Sequence, residues 1–186
     1  ELYTKKGDGG MRRKVFIVSI MLIFVLSITV FASEAEQWYT FVSKDEMTEE
    51  ETWFAVSPEV EPTKKMNFPY SGVRAWMGIG YNGKDEWVYI GFTEAPNLIY
   101  TTIKDWYALI SIRVKWDDEL DNVKLTQTWG SKFLHFENDK AIVSKIAQSN
   151  TLLIELNWYG EGNVYFRFPL NGSADAINEI HAAFES

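Results

Sequence analysis

Apolar and polar residues alternate along most of this chain, and the period is two. Over residues 106–116, Trp106, Ala108, Ile110, Ile112, Val114 and Trp116 fall on one face, while Tyr107, Ser111, Arg113 and Lys115 fall on the other; Leu109 is the misfit. Successive side chains of a strand point to opposite faces, so the stretch reads as one long half-buried strand. The same rule sorts Leu152, Ile154, Leu156 and Trp158 from Thr151, Glu155, Asn157 and Tyr159, with Leu153 the exception. It sorts Val164, Phe166, Phe168 and Leu170 from Tyr165 and Arg167, and Val123, Leu125 and Trp129 from Lys124, Thr126 and Thr128. Residues 73–81 and 86–92 are aromatic-rich runs separated by Asn82-Gly83-Lys84-Asp85, and Asn-Gly between such runs predicts a tight hairpin. Residues 117–122 and 159–163 read as further hairpin turns, and 38–43 and 52–56 as further strands.

Two segments change period. Ser173 stands as a helix N-cap with Asp175 in the first turn, and Ile177, Ile180 and Phe184 make an i, i+3, i+7 stripe, which predicts a C-terminal amphipathic helix over 174–185. Ile142, Val143 and Ile146 cluster within 139–148 and predict a shorter helix. About eight or nine strands with mostly hairpin links then predict a mainly β, α+β domain, either an antiparallel β-sandwich or a strongly curved sheet. Residues 57–70, with Pro58, Pro62 and Pro69, form a connection longer than usual; both a functional loop and plain disorder stay open.

The first 35 residues follow another logic. Arg12, Arg13 and Lys14 precede an apolar run over 15–31 that is broken only by Ser19, Ser27 and Thr29. Val30-Phe31-Ala32 and Ser33-Glu34-Ala35 place suitable residues at the positions a signal peptidase reads. Residues 11–35 therefore read as a signal peptide cleaved after Ala32 or Ala35, and the alternative is a retained membrane anchor at the short end of spanning length. Residues 1–10 read as translation upstream of Met11, because a signal peptide's basic region belongs at the true start. Residues 36–186 remain as a single extracytoplasmic domain, periplasmic or extracellular, with a size that supports a substantial core.

Charge narrows the partners. From Glu36 onward there are 13 basic and 23 acidic residues, a net charge of −10. That argues against nucleic acid and against an anionic membrane surface once the signal is removed. With no cysteine, the exported fold holds without disulfides. Eight Trp, nine Tyr and twelve Phe supply much of the core's bulk.

Catalytic chemistry is thin. There is no cysteine nucleophile and no G-x-S-x-G elbow. Gly78, Gly80 and Gly83 spell G-x-G-x-x-G, but a hairpin and a strand follow rather than a helix, so the glycines read as easing a strand and its turn. His135 and His181 are isolated, with nothing placed to orient them and no zinc spacing. Asp117, Glu119 and Asp121 mimic the start of a calcium loop, but Asn122 and Thr128 stand where it needs Gly and Glu, so an acidic hairpin tip is the reading. No catalytic residue, metal or cofactor is assigned. The polar strand faces offer more: Tyr107, Arg113, Tyr159, Tyr165 and Arg167 are the candidate ligand-binding residues, an aromatic and arginine surface suited to a glycan or a protein partner if their strands are neighbours. Cross-strand pairing of the same rings, or a cover by the C-terminal helix, stays open.

The order of signals carries a resemblance. Trp38 is followed by Ser43-Lys44-Asp45-Glu46-Met47-Thr48-Glu49-Glu50, then by the Asn-Gly run of 73–83, and the chain closes with Phe166-Arg167-Phe168-Pro169-Leu170-Asn171-Gly172 leading into an Ala- and Ile-rich helix. This resembles the exported VasI-like proteins associated with type VI secretion loci, over roughly residues 38–186. Members often carry a cysteine pair that this chain lacks. The resemblance implies a non-enzymatic envelope or secretion-accessory protein and assigns no site residues. The expectation is a non-enzymatic extracytoplasmic binding module. A carbohydrate-binding module or weak glycoside-acting enzyme, and a membrane-anchored structural protein, are the alternatives.

Overall fold

The computed structural model describes residues 37–185; the expected signal peptide and the upstream reading of residues 1–10 lie outside them. Ten strands and two helices follow in the order β1 (Tyr39–Lys44), β2 (Glu51–Val56), β3 (Ala75–Tyr81), β4 (Glu86–Phe92), β5 (Thr101–Lys104), β6 (Tyr107–Trp116), β7 (Glu119–Thr128), β8 (Phe133–Phe136), α1 (Asp139–Gln148), β9 (Thr151–Trp158), β10 (Gly162–Pro169) and α2 (Ser173–Ala182). The strands form one antiparallel sheet in the order β1-β2-β3-β4-β8-β7-β6-β9-β10, with β5 added to β6. Of the two expected architectures the molecule adopts the curled sheet, because the strands share one hydrogen-bonded ladder instead of two facing layers. Hairpin turn chemistry sets much of this order. Asn82 Oδ1 accepts the N–H groups of Lys84 at 3.0 Å and Asp85 at 2.7 Å, and Gly83 takes φ +84° between them.

β6 is the branch point. One of its edges pairs with β7 from Tyr107↔Thr128 to Trp116↔Glu119. The other edge is shared: Tyr107–Ile110 pair with β5, and Val114–Trp116 pair with β9. The curl is then fastened by the proline-rich stretch after β2. Val60 bridges Ala75 of β3, Pro62 bridges Phe166 of β10, and the Thr63 N–H donates to Tyr165 O at 2.8 Å. Met66 is buried, and the Tyr70 ring stands edge-on to Trp158 at 5.0 Å. The stretch left open between loop and disorder is thus a packed seam. Trp38 Nε1–H adds a second tie, donating to Pro169 O at 3.0 Å.

The core lies inside the curl. Met77, Ile79, Val88, Ile90 and Phe92 from the first strands meet Ile112, Val114, Trp116, Leu152, Ile154, Trp158, Val164 and Phe166 from the last. The expected alternation is seen directly in β9, where every second residue is buried. Ile142, Val143 and Ile146 of α1 and Ala176, Ile177 and Ile180 of α2 are buried in the same cluster. Among the described residues no helix is long and apolar enough to cross a membrane.

Several details depart from the pattern. Trp106 and Trp129, expected on apolar faces, are exposed just beyond the ends of β6 and β7, where the alternation no longer applies. β5 and β8 have four residues each, too short for a period to register. Phe184, expected on the helix stripe, lies beyond α2 and stands edge-on to Tyr81 at 5.2 Å. Ser173 does not cap α2: Gly172 holds that position at φ +86°, and the Ser173 hydroxyl donates to Ile146 O at 2.9 Å, joining the two helices. The turn expected over 117–122 is confined to Asp117 and Asp118, since β7 already begins at Glu119.

Candidate functional site

The outer face of the curled sheet has two unlike halves. The half built from β6, β9 and β10 carries four of the five residues singled out by the alternation. Arg113 donates through Nε to Glu155 Oε1 at 3.0 Å and through Nη2 to Oε2 at 2.6 Å, and Tyr165 O–H donates to the same Oε2 at 2.7 Å. These bonds, those of Arg113 first, hold the Glu155 carboxyl below its usual range despite partial burial. Arg113 and Tyr165 are therefore brought together, with Arg167 exposed two residues from Tyr165 on the same face. Tyr107 stands six residues along β6 from Arg113, about 20 Å away, its ring against Trp106 at 5.3 Å. Tyr159 lies past the end of β9, its N–H bound to Asn97 O at 2.8 Å. The five do not make one patch.

The acidic turns are also spoken for. Asp117 accepts the Asn150 N–H at 3.0 Å and the Thr151 N–H at 2.8 Å, tying the β6–β7 turn to the start of β9. Those backbone donors, Asn150 first, lower its pKa. Asp121 pairs with Lys145 of α1, and that bond lowers its pKa in turn. Among the described residues no group of three or more His, Cys, Asp or Glu is placed to hold a metal ion. His181 does acquire an orienting partner, which its sequence position concealed: Nε2 is 2.6 Å from Glu86 Oε1, and its ring is edge-on to Tyr81 at 4.8 Å. That arrangement links α2 to the β3–β4 hairpin.

The other half of the outer face is aromatic. The residues of β3 and β4 that point outward are Trp76, Gly78 and Gly80 on one strand and Trp87, Tyr89 and Gly91 on the other, and they pair Trp76↔Gly91, Gly78↔Tyr89 and Gly80↔Trp87. Each ring lies over the glycine opposite, so closely that a Cβ on any of the three glycines would come within 2.1–2.4 Å of a ring atom. Glycine is needed here for space and not for its backbone freedom, and the ring repairs the packing that glycine gives up in a strand. Around this pavement stand Tyr39 and Phe41 of β1, Phe54 of β2 and Phe133 of β8. Phe41 and Phe54 are near-parallel at 5.0 Å, and Phe133 is edge-on to Tyr89 at 5.5 Å and to Trp76 at 6.3 Å.

Tyr39, Phe41, Val56, Pro58, Trp76, Tyr89 and Phe133 line an open groove of about 690 Å³ on this surface. Tyr39 is 56% exposed and Phe41 42% exposed, large values for rings on a regular strand. Burial, reinforced by the neighbouring Tyr39, pushes the Tyr89 phenol up to about 12, so its hydroxyl stays a neutral donor at physiological pH. Both helices pack on the inner side, where Ile142, Ile146, Ile177 and Ile180 join the core, and they leave these rings uncovered. None of these aromatic residues stood out in the alternation. The usable signal was the spacing of Trp76, Gly78 and Gly80, three outward positions of one strand, met by Trp87, Tyr89 and Gly91 on the next. Comparison with family models, with curated proteins and with solved structures found no match to this chain.

Proposed function

We propose that this chain is an exported, non-catalytic binding module of the cell envelope, and that it holds a protein partner on the aromatic outer face of β1–β4 and β8. The observation that carries the reading is the seating of Trp76, Trp87 and Tyr89 on Gly91, Gly80 and Gly78. Rings fixed in this way lose little freedom when a ligand covers them, so the surface is organised for binding before contact. Exposed Tyr39, Phe41 and Phe133 beside the groove supply apolar area for a partner, more than scattered surface residues would. The charged half of the face spends Arg113 and Tyr165 on Glu155, which leaves them less available to a ligand. Export rests on the signal-peptide pattern of residues 11–35, and the likeness to the exported VasI-like proteins points the same way.

The test is a crosslinking pull-down of the precursor from its native envelope, read by mass spectrometry for both the mature N-terminus and the co-purifying species. Combined Tyr39→Ala, Phe41→Ala and Phe133→Ala should abolish capture, while combined Tyr107→Ala, Arg113→Ala, Tyr165→Ala and Arg167→Ala should leave it intact. Capture that survives the first set and fails with the second would move the site to the charged half. A mature N-terminus at Ser33 or Glu36 is expected; a retained 15–31 segment would favour the anchored structural reading. The near-parallel rings of Tyr39, Phe41 and Phe54, inclined by 28° and 16° to one another, favour carbohydrate as a second reading. A chain that binds envelope glycan and captures no protein would select it.

A further inference from the structure

We infer that β1 receives an extended segment of a basic protein partner as an added strand, with alternate partner side chains entering the groove beside Tyr39 and Phe41. The inference rests on the aromatic face being a binding surface and names how it is engaged and by what chemistry.

The backbone comes first. Among the described residues β1 pairs on one side only, with β2, in the register Tyr39↔Val56 to Lys44↔Glu51. The Asp45 N–H donates to Glu50 O at 2.9 Å at one end of this ladder, and the Ser57 N–H reaches Met77 O on the far side of β2. Antiparallel pairs alternate between bonded and non-bonded, so Tyr39, Phe41 and Ser43 turn their peptide groups to β2. Thr40, Val42 and Lys44 turn theirs outward, a row of donors and acceptors spaced for pairing with another extended chain.

The side chains do not protect this edge. Edge strands are usually blunted by lysines, proline, a bulge or an inward charge. Over Tyr39–Ser43 β1 carries no lysine, proline or bulge and exposes Tyr39, Phe41 and Val42, the last by 45%; on its inner side Thr40 donates to Glu179 of α2 at 2.7 Å, one more acidic group beside the edge. Lys44 stands at the end and is drawn to Glu49 at 3.7 Å. On the outer side the groove begins directly beside Tyr39 and Phe41, so an added strand would set every second side chain over it.

Charge selects the occupant. The β1–β2 turn presents Glu46, Glu49, Glu50 and Glu51, all exposed, at one end of the edge, and the domain from Glu36 onward carries a net −10. A second copy would bring the same surplus of negative charge to the seam. A glycan would use the rings and leave the outward peptide groups of Thr40, Val42 and Lys44 unpaired. An extended segment of alternating apolar residues with lysine or arginine near the acidic turn satisfies backbone, groove and charge together.

The experiment uses the full chain and a labelled synthetic peptide of alternating valine and threonine ending in lysines, long enough to span β1. Fluorescence anisotropy reports binding, and amide hydrogen exchange reports Thr40, Val42 and Lys44. The peptide should bind and slow exchange at those three amides. N-methylation along the peptide edge facing β1 should weaken binding by about tenfold per blocked donor, while methylation along its other edge leaves binding unchanged. Exchanging the lysines for glutamates should also weaken it. Because the methylation series leaves the protein unaltered, no folding defect enters the comparison. Failure to bind, unchanged exchange at the three amides, or equal binding by both methylated peptides overturns strand addition. The pull-down with the Tyr39, Phe41 and Phe133 variants decides separately whether the aromatic face binds at all. A partner lost from that triple variant, together with a peptide indifferent to methylation, would keep the face and discard the strand.

Discussion

If the ring-on-glycine contacts organise the aromatic half, adding one methyl group beneath a ring should destabilise the domain, and removing the ring should erase the effect. Gly80 and Trp87 suit the test because Trp87 faces Gly80 directly and does not line the groove, and the readout is stability alone. A Cβ at Gly80 would come within 2.4 Å of the indole atoms Cε2 and Cζ2, part of a rigid ring instead of a flexible tip, so the indole must lift away. Trp side chains bury on the order of 150–250 Å². Re-exposing about a third of that, at about 25 cal/mol per Å², costs roughly 1.3–2 kcal/mol. With Trp87→Ala already in place the space is open, and Gly80→Ala should instead gain about 0.5 kcal/mol by restricting the unfolded chain. The unfolded-chain gain is common to both backgrounds and cancels, so the coupling in the double-mutant cycle should equal the ring-lifting cost, about 1.3–2 kcal/mol, while Gly80→Ala alone should lose about 0.8–1.5 kcal/mol net, roughly 2–6 °C in Tm for a domain of this size. Urea unfolding of the four proteins, followed by far-UV circular dichroism, measures it. Equal destabilisation by Gly80→Ala in both backgrounds would show that the ring is not what the glycine accommodates.

The other expectations concern the ties that hold the curl. Ser173→Ala removes the one hydroxyl that joins α2 to Ile146 O in the buried helix layer, and should cost about 1–2 kcal/mol by urea unfolding; an unchanged midpoint would mean the carbonyl finds another donor. Glu155→Gln breaks the two-pronged Arg113 contact, but Arg113 is largely exposed, so the loss should stay near 0.5–1 kcal/mol in the same assay. Acid should weaken the fold. Asp117, Asp121 and Glu155 are held below their ordinary values by the Asn150 N–H, Lys145 and Arg113 respectively. Their stabilisation is therefore complete above the unfolded carboxylate range and disappears as pH falls through the folded values. Asp139 acts in the opposite sense, raised chiefly by burial, so that protonating it relieves a cost. Three groups outweigh one, and the urea midpoint should fall steadily below about pH 4; a flat or rising midpoint there would refute the balance.

Much of the architecture was legible because its strands are amphipathic. β6, β9 and β10 bury one face against the core and wet the other, so a period of two survives in the residue order and sets their boundaries within two residues. The Asn82-Gly83 turn and the apolar triplet of Ile142, Val143 and Ile146 were legible for the same reason, each being a local requirement written in local residues. The failures are also physical. β5 and β8 take their existence from neighbours, pairing on β6 and between β4 and β7, and four residues carry no period of their own. The seam over 57–70 depends on contacts with Phe166, Tyr165 and Trp158, roughly a hundred residues away in the chain, and no local pattern announces these.

The site was harder to read for a reason rooted in the same alternation. Reading every second residue as core and the rest as solvent assumes that outward residues are polar, and it directs attention to Tyr107, Arg113, Tyr159, Tyr165 and Arg167. In β3 and β4 the outward residues are aromatic or glycine, so the residue order shows only aromatic-rich runs with no polar face to mark the outside. Only the pairing register turns those letters into a surface, by setting Trp76, Tyr89 and Trp87 opposite Gly91, Gly78 and Gly80. A glycine where an outward side chain belongs weakens a strand, and an aromatic residue facing water gains little from burial alone. Three such pairs in succession compensate each other, which a sheet needing stability alone would achieve more simply with threonine and valine. The arrangement fits the proposed binding surface, which would have to stay aromatic, rigid and uncovered, and among the described residues no strand pairs the outer edge of β1 alongside it.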